Sequence, residues 1–160
     1  MLHADPRVHE GEHSVEVQLP FLQFVLHDFK IVPVVMGAQD AESSEQLAGL
    51  IFDSIKEKKK RFLIVGSTDL SHYYPYDYAV QLDSVVIKHL ERFDIKAMVE
   101  DQSVEHYEAC GAGPMITTML VCRKLGADQS KVLHYANSGD VSGDRSSVVG
   151  YVSCVFYGGK

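Results

Sequence analysis

The sequence is poor in the features that mark secreted and membrane proteins. It has three cysteines, Cys110, Cys122 and Cys154, an odd number with no CxxC pair, which argues against a disulfide framework and favours a reducing compartment. The first residues, MLHADPRVHEGEH, are polar and lack the apolar core of a signal peptide. Nowhere do about 18 apolar residues follow one another, the length that a membrane span needs. These absences predict a cytoplasmic protein without a membrane span.

Positive charge is also scarce. Asp and Glu number 22 against 15 Lys and Arg, which gives a formal net charge of −7. A surface of this sign repels nucleic acid and anionic membranes, so neither is expected as a partner. The one basic run, residues 56–61, is interpreted as the solvated end of a helix rather than as a phosphate-binding patch.

Strand-like and helix-like apolar patterns alternate along the chain, without an internal repeat. Residues 29–36 predict a strand, and residues 61–67 predict a second one whose almost wholly apolar centre is typical of a strand covered on both faces. Residues 131–136 and 148–157 predict two final strands with no helix between them, the last of them central. The predicted fold is therefore α/β, a single domain over residues 1–160 with a mixed sheet flanked by helices on both faces.

The remaining apolar patterns have the period of helices. Pro20 is expected to kink the first helix or to begin its second part, and Ser43 or Ser44 to cap the second helix. The predicted helices cover residues 14–27, 41–58, 78–93, 95–100, 103–109 and 114–125.

A polar cluster, Ser67-Thr68-Asp69-Leu70-Ser71-His72, begins where the apolar segment 61–67 ends. Ligands of open α/β sheets collect at the carboxyl ends of strands. Asp69 and His72 are therefore predicted to face one cavity, with the carboxylate orienting the imidazole, an arrangement that suits a general base or a metal ligand. The alternative is that Asp69 caps a turn and His72 only packs nearby.

Two further positions carry candidate chemistry. His13 beside Glu12 matches an acid–base pair or a metal site, although Ser14 as a helix N-cap explains the same segment. Cys110 directly precedes the stretch Gly111-Ala112-Gly113-Pro114. Glycine permits close backbone approach there and a following helix N-terminus favours a thiolate, so Cys110 is a candidate ligand or nucleophile.

The connection YANSGDVSGDRSS, residues 135–147, is long for a hairpin and rich in residues that favour turns. It is predicted either to bind a substrate or cover its cavity, or to be an ordered surface turn.

Four segments in order, GEHSVEVQLPFL, STDLSHY, ACGAGP and YANSGDVSGD followed by VVGY, resemble the successive signatures of the Memo family, whose prokaryotic members are called AmmeMemoRadiSam system protein B. The resemblance covers residues 12–157. It implies the LigB-type fold of the class III extradiol ring-cleaving dioxygenases and a pocket that binds iron or copper. It also implies a metal ligand at Cys110 and catalytic pocket residues at Asp69, His72 and His13.

The chain departs from the family pattern at its beginning. Memo proteins carry two further metal-binding histidines, in A-P-H-A-G-Y-like and G-P-S-H-like motifs, and neither motif occurs here. The resemblance therefore implies a chain without the amino-terminal strands of the fold, as from a truncated gene product, a misplaced start or a split protein. Loss of two imidazoles predicts weaker metal binding. Exposed sheet edges predict a homo-oligomer or a partner that completes the fold.

Three functions follow as hypotheses. The first is a metal-dependent, dioxygenase-like enzyme acting on a small molecule. The second is a non-catalytic binding or regulatory protein that uses the same cleft for a peptide or metabolite, as the resemblance to eukaryotic members linked to signalling implies. The third, from the residues alone, is a thiol hydrolase with Cys110, His72 and Asp69 as nucleophile, base and orienting group.

Overall fold

A computed structural model describes residues 4–158, and the chain divides into two compact units, Met1–Gly37 and Ala38–Lys160. In the first unit, single 3-10 turns cover Pro6–His9 and Glu16–Gln18, and the first helix, α1, covers Leu19–Val25. Pro20 lies in the first turn of α1, where its missing N–H breaks no helical hydrogen bond. The prediction that this proline begins a second part of the segment is confirmed. The single domain over residues 1–160 stays a prediction.

The described part of the second unit contains five helices and three strands. The helices are α2 (Ala41–Ile55), α3 (Tyr76–Arg92), α4 (Ile95–Ser103), α5 (Ala112–Lys124) and α6 (Ser138–Ser142). The strands are β1 (His72–Tyr74), β2 (Gln129–Asn137) and β3 (Val148–Tyr157). The sequence predicts all of these except β1 and α6. None of the helices in residues 4–158 combines the length and the apolar character of a membrane span.

The strand order is β1-β3-β2, and both pairings are antiparallel. β3 is central, as its β-branched and aromatic residues predict. The chain is thus mixed α/β as expected, but the described strands pair only antiparallel instead of forming a mixed sheet. The antiparallel pairing of β2 and β3 agrees with the short connection between them, which cannot make the crossover that parallel strands need. The mixed sheet is not found because the other two predicted strands, residues 29–36 and 61–67, do not form.

One face of this sheet is covered within the second unit. Half-buried and exposed residues alternate along β3, and α3 packs against both β2 and β3. The covered face adds Val152, Cys154 and Phe156 to the core, whereas Tyr151 and Tyr157 on the other face are each more than two-fifths exposed. Helices on both faces, as predicted for parallel strands, are therefore not found in residues 38–158.

Residues 29–36 and 61–67, the two strands predicted from apolar runs, are not strands in the described structure. A strand needs a neighbour for its N–H and C=O groups, and no described segment pairs with either run. Their apolar side chains are open to solvent, with Val32 87% and Leu63 66% exposed. The apolar pattern identifies a segment suited to a sheet but does not supply its partner.

The core of the second unit lies between the sheet and helices α3, α4 and α5. On α3 the buried positions are Ala79, Asp83, Val86 and Leu90, spaced three or four residues apart as on one helical face. Full burial of an aliphatic side chain of this size stabilises the fold by about 1.5–3 kcal/mol. Asp83 is the one charged residue on this apolar stripe.

The short helix predicted for residues 103–109 is not formed, which affects the position of the candidate site. α4 ends at Ser103, and Glu105 has a left-handed backbone with φ of 56° that turns the chain back. Tyr107 is then buried, and its hydroxyl donates to Met98 O at 3.2 Å. This turn carries Glu108 and Cys110 toward the loop of residues 67–72.

Candidate functional site

Backbone pairing with the start of β3 fixes the loop of residues 67–72. Leu70 N–H donates to Gly150 O at 2.9 Å, and Gly150 N–H donates to Ser71 O at 2.9 Å. Leu70 and Ser71 are fully buried, whereas Asp69 and His72 are half-buried. The loop therefore anchors itself through two inward residues and keeps its two candidate functional residues accessible to solvent.

Cys110 lies against this loop. Asp69 N–H donates to Cys110 Sγ at 3.3 Å, and Cys110 N–H donates to Asp69 O at 3.2 Å. The Thr68 hydroxyl lies 3.9 Å from the same sulfur. The side chain of Cys110 is exposed and the cysteine is free. The structure thus brings the backbone of Asp69 to the backbone and the sulfur of Cys110; the roles of these residues in a site stay predictions.

Gly111 makes this close approach feasible, as the sequence suggests. Its N–H donates to Thr68 Oγ1 at 2.8 Å. A Cβ at this position would lie 2.5 Å from Ser67 O and 2.8 Å from Thr68 Cβ, inside van der Waals contact. Only glycine fits between the loop and the start of α5.

Gln39 holds the turn that carries Cys110 from its other side. Its Nε2 donates to Cys110 O at 3.0 Å, and its Oε1 accepts from Gly113 N–H at 2.9 Å. The Gln102 side chain in turn donates to Gln39 O at 2.9 Å. The turn from Cys110 into α5 is therefore fixed by side chains as well as by the loop.

His72 is held by a carboxylate, but not by the predicted one. Its Nδ1 lies 3.2 Å from Glu108 Oε1, where the spacing predicted Asp69 as the orienting group. An ionised carboxylate only accepts hydrogen bonds, so this contact favours the tautomer of the neutral ring with the proton on Nδ1 and the lone pair on Nε2. The Tyr74 hydroxyl also bonds Glu108, and this bond raises the pKa of Tyr74. Glu108 thus favours this tautomer of His72.

Asp69 contributes chiefly its main chain to this arrangement. Burial is the first cause of the raised pKa of Tyr151 on β3, and the negative charge of Asp69 contributes to it. Together Thr68, Asp69, His72, Glu108 and Cys110 form a group that we call the Cys110 site.

His13, the fourth predicted site residue, lies in the first unit. It is exposed, with Nδ1 3.6 Å from Glu16 Oε2. Ser14 is not the predicted N-cap, because the turn that follows begins after Val15. Instead Ser14 N–H donates to Glu12 Oε1 at 2.7 Å, which lowers the pKa of Glu12. The role of His13 in catalysis stays a prediction.

The connection between β2 and β3 is an ordered turn. Asn137 and Asp140 form a capping box at the start of α6, and Gly143 ends it with φ of 79°. The Tyr76 hydroxyl donates to Asp140 Oδ1 at 2.8 Å, and the Arg145 guanidinium lies 4.0 Å over the Tyr76 ring. Of the two interpretations of this segment, the ordered turn describes its internal structure.

Sequence reasoning misses three residues that build the site: Gln39, Glu108 and Asp83. Glu108 lies two residues before Cys110 and Gln39 lies far from it in sequence, so only the tertiary turn after α4 reveals them. Asp83 does leave a signal. A carboxylate on the apolar stripe of a helix is unusual, because a buried charge needs partners.

Within residues 4–158, no three His, Cys, Asp or Glu side chains are placed together in a way that could hold a metal ion. The Cys110 site offers the cysteine sulfur, a single imidazole and two carboxylates at its edges. The described residues alone therefore do not fit a complete iron or copper site, which needs more converging ligands.

Fold and site define the class coarsely: a mixed α/β protein that gathers a cysteine, an imidazole and two acidic residues around one loop. Comparison with known proteins narrows this class. The family model described as Memo-like protein matches residues 1–155, and the chain belongs to the Memo family.

Curated relatives agree with this assignment. MEMO1 family proteins of Methanosarcina mazei, Methanobrevibacter smithii and Sulfolobus acidocaldarius are 43%, 42% and 41% identical over 95%, 96% and 95% of this chain. The matched segments make up 57%, 54% and 54% of those proteins. The chain thus spans about half the length of the curated relatives that it matches.

Proposed function

We propose that the Cys110 site is the protein part of a metal-dependent, dioxygenase-like site for a small molecule, on a fold related to that of the LigB-type dioxygenases. The supporting observation is the reciprocal pairing of Asp69 and Cys110, with an exposed sulfur that accepts a backbone hydrogen bond at 3.3 Å. A cytoplasmic location is part of the proposal, because an accessible free thiol persists best in a reducing compartment.

Cys110 is the proposed ligand for iron or copper. Since the described residues do not form a complete ligand set, further ligands have to come from outside residues 4–158 or from a second molecule. Such a shared site would bind the metal weakly in the isolated chain.

His72 is the proposed general base. Glu108 holds Nδ1 and leaves the lone pair on Nε2, so the ring can accept a proton from a bound hydroxyl group at that atom. The Tyr74 hydroxyl shares Glu108 and keeps the carboxylate in place. Asp69, whose backbone N–H bonds the Cys110 sulfur, is a further proposed proton-handling residue of this unit. A catalytic role of His13, in the first unit, stays a prediction.

A second copy of the chain or another partner is the proposed source of the missing cover. The run of residues 61–67 leads directly into the site loop and leaves Phe62, Leu63 and Val65 about half exposed or more. Apolar patches of this kind mark interaction surfaces.

The alternative function is a non-catalytic binding or regulatory protein that takes a peptide or metabolite at the same site. One observation favours it. Residues 4–158 contain no cluster of three potential metal ligands, but they still present an exposed cysteine and an imidazole oriented by a carboxylate.

Metal content tests the first function. The purified chain is dialysed anaerobically to equilibrium against Fe(II) or Cu(I), so that weakly bound metal is counted, and is then assayed for oxygen uptake with catechol-like substrates. We expect metal that is lost in Cys110→Ser and retained in the matched control Cys122→Ser, whose thiol lies within α5. Absence of metal from the wild type under both loadings would contradict the metal proposal.

Ligand binding separates the alternative from it. Thermal-shift screening of metabolites and peptides identifies a binder, and its affinity is then measured for Cys110→Ser and His72→Ala. Binding that weakens in these variants but requires neither metal nor oxygen supports the non-catalytic function at this site.

A further inference from the structure

Asp83 is a fully buried carboxylate that accepts a hydrogen bond from the loop of residues 67–72. It lies on the core face of α3 with no exposed surface. Its Oδ1 accepts from Ser71 N–H at 3.0 Å, and its Oδ2 accepts from the Tyr135 hydroxyl at 2.7 Å. The carboxylate thus joins α3, β2 and the loop that carries Asp69 and His72.

Core stability alone does not explain this residue. No Lys, Arg or His in residues 4–158 forms an ion pair with Asp83. Burying a carboxylate without a cation is unfavourable, and an apolar side chain at a position between Ala79 and Val86 would serve the core better. The role of Asp83 is therefore to be found in the two groups that its hydrogen bonds hold in place, the Ser71 backbone and the Tyr135 hydroxyl.

Gly150 shows how closely the loop is fitted to this carboxylate. A Cβ at residue 150 would overlap Asp83 Oδ2. The same glycine pairs through its own N–H and C=O with Ser71 O and Leu70 N–H. The Asp83 carboxylate, Gly150 and the loop of residues 69–72 therefore contact one another directly, so a shift of one of them is expected to displace the other two.

We propose that Asp83 is a positioning residue that sets the conformation of the loop of residues 69–72, and through it the placement of His72 and of the Asp69 N–H that bonds Cys110 Sγ. Asp83 touches neither the thiol nor the imidazole; it acts through Ser71. Its consequence for ligand or metal binding rests on the proposed function, but its effect on the loop does not.

The test compares Asp83→Asn with Asp94→Asn. Asp94 is the matched control, a carboxylate that also accepts a backbone N–H, that of Ala97 at 3.1 Å, but at the start of α4. The alkylation rates of Cys110 and Cys122 by iodoacetamide are measured by peptide mass mapping. The NMR spectrum of the His72 ring gives a second, spectroscopic readout.

Cys122 is the internal control for general loosening, because it lies half-buried in α5, away from the loop of residues 69–72 in the chain, and its alkylation rate rises when the core opens. In Asp83→Asn we expect the ratio of the Cys110 rate to the Cys122 rate to change by about tenfold, the equivalent of one hydrogen bond. The His72 ring signals shift as well. In Asp94→Asn neither the ratio nor the ring signals change.

An unchanged rate ratio with unmoved His72 signals in Asp83→Asn would overturn the proposal and leave the residue a structural one. If Asp83→Asn does not fold, Gly150→Ala perturbs the same contact from the opposite side and has to change the ratio in its place. These readouts need no metal. A wild type that binds neither iron nor copper, together with a changed ratio in Asp83→Asn, refutes the proposed function and leaves this inference standing.

Discussion

Two histidine–carboxylate groups in the second unit use the same residue types differently. At the Cys110 site, Glu108 holds one imidazole, that of His72, at 3.2 Å. Elsewhere Asp101 binds two imidazoles, with His89 Nε2 at 2.7 Å and His106 Nδ1 at 3.1 Å. His89 lies on α3, Asp101 on α4 and His106 in the turn after α4. Asp101 therefore fastens three segments together.

The difference lies in what each carboxylate leaves available. Both oxygens of Asp101 are occupied, and the hydrogen bonds from His89 and then His106 lower its pKa. Glu108 is shared with the Tyr74 hydroxyl and bonds only Nδ1 of a half-buried imidazole, so Nε2 of His72 is left without a carboxylate partner in the described residues. Histidine–carboxylate pairs therefore differ in which hydrogen-bonding atoms they leave free and in their neighbours. The His72–Glu108 pair suits chemistry, whereas the group around Asp101 suits a structural role.

The largest expected effect tests the anchor of the Cys110 site. Gly150→Ala should destabilise the protein by about 1–3 kcal/mol, because its methyl group overlaps the Asp83 carboxylate in a packed core. Urea unfolding measures the change. The control is Gly49→Ala in α2, where a Cβ meets nothing within 4 Å. That change should stabilise the helix by about 0.5–1 kcal/mol.

The cause of the first effect can be isolated. In an Asp83→Ala background the overlap is removed, so Gly150→Ala should then cost less than about 1 kcal/mol. Strictly additive costs in the double variant would show that the carboxylate is not what the methyl group meets.

Removal of each carboxylate in turn should have opposite consequences in the two groups. Asp101→Ala should lower the thermal midpoint by roughly half the shift of Gly150→Ala or less, because it releases both imidazoles at a partly solvated site. Glu108→Ala should leave the midpoint nearly unchanged but alter Cys110 alkylation. Calorimetry measures the thermal midpoints of both variants, and peptide mapping measures their Cys110 alkylation. A large loss of stability in Glu108→Ala, with altered alkylation only in Asp101→Ala, would show that Glu108 is the structural carboxylate and Asp101 the one that serves the Cys110 site.

Acid should reduce the contribution of Asp101. Its pKa is lowered from the ordinary value of 3.8 by the two histidines. A carboxyl with a depressed pKa in the folded state contributes stability above its unfolded pKa and loses it as the pH falls through the folded pKa. The gap in thermal midpoint between wild type and Asp101→Asn should therefore persist at neutral pH and close below 3.8. A gap that stays constant through this acid range contradicts the linkage.

The sequence predicts elements whose pattern is local and misses what pairing decides. Val148 and Tyr157 bound β3 as predicted, because β-branched and aromatic residues fill it. β1 is missed since its three residues become a strand only beside β3, near Gly150. At the site, the close approach of Cys110 to the loop is indicated by Gly111, but the strand end at residues 61–67 from which the loop is predicted does not form. Glu108 is not predictable, because the left-handed turn at Glu105 brings it to His72.

The smallest expected effect on stability is the most specific for chemistry. Neutral imidazole has two tautomers, and Glu108 favours the one with the proton on Nδ1, since its carboxylate can only accept. Glu108→Gln should abolish this preference, because an amide can donate to Nδ1 as readily as it accepts. The 15N chemical shifts of the two His72 ring nitrogens, measured by NMR at a pH at which the ring is neutral, report the proton position directly.

His89 is the comparison for that measurement. Its Nε2 faces Asp101, so its neutral ring should carry the proton on Nε2, the opposite tautomer to His72, and should keep it in Glu108→Gln. Finding His72 with the proton on Nε2 in the wild type would remove the lone pair from the atom at which the proposed base acts. Opposite tautomers, with only His72 responding to Glu108→Gln, would establish that one carboxylate prepares its imidazole for proton transfer while the other fastens helices.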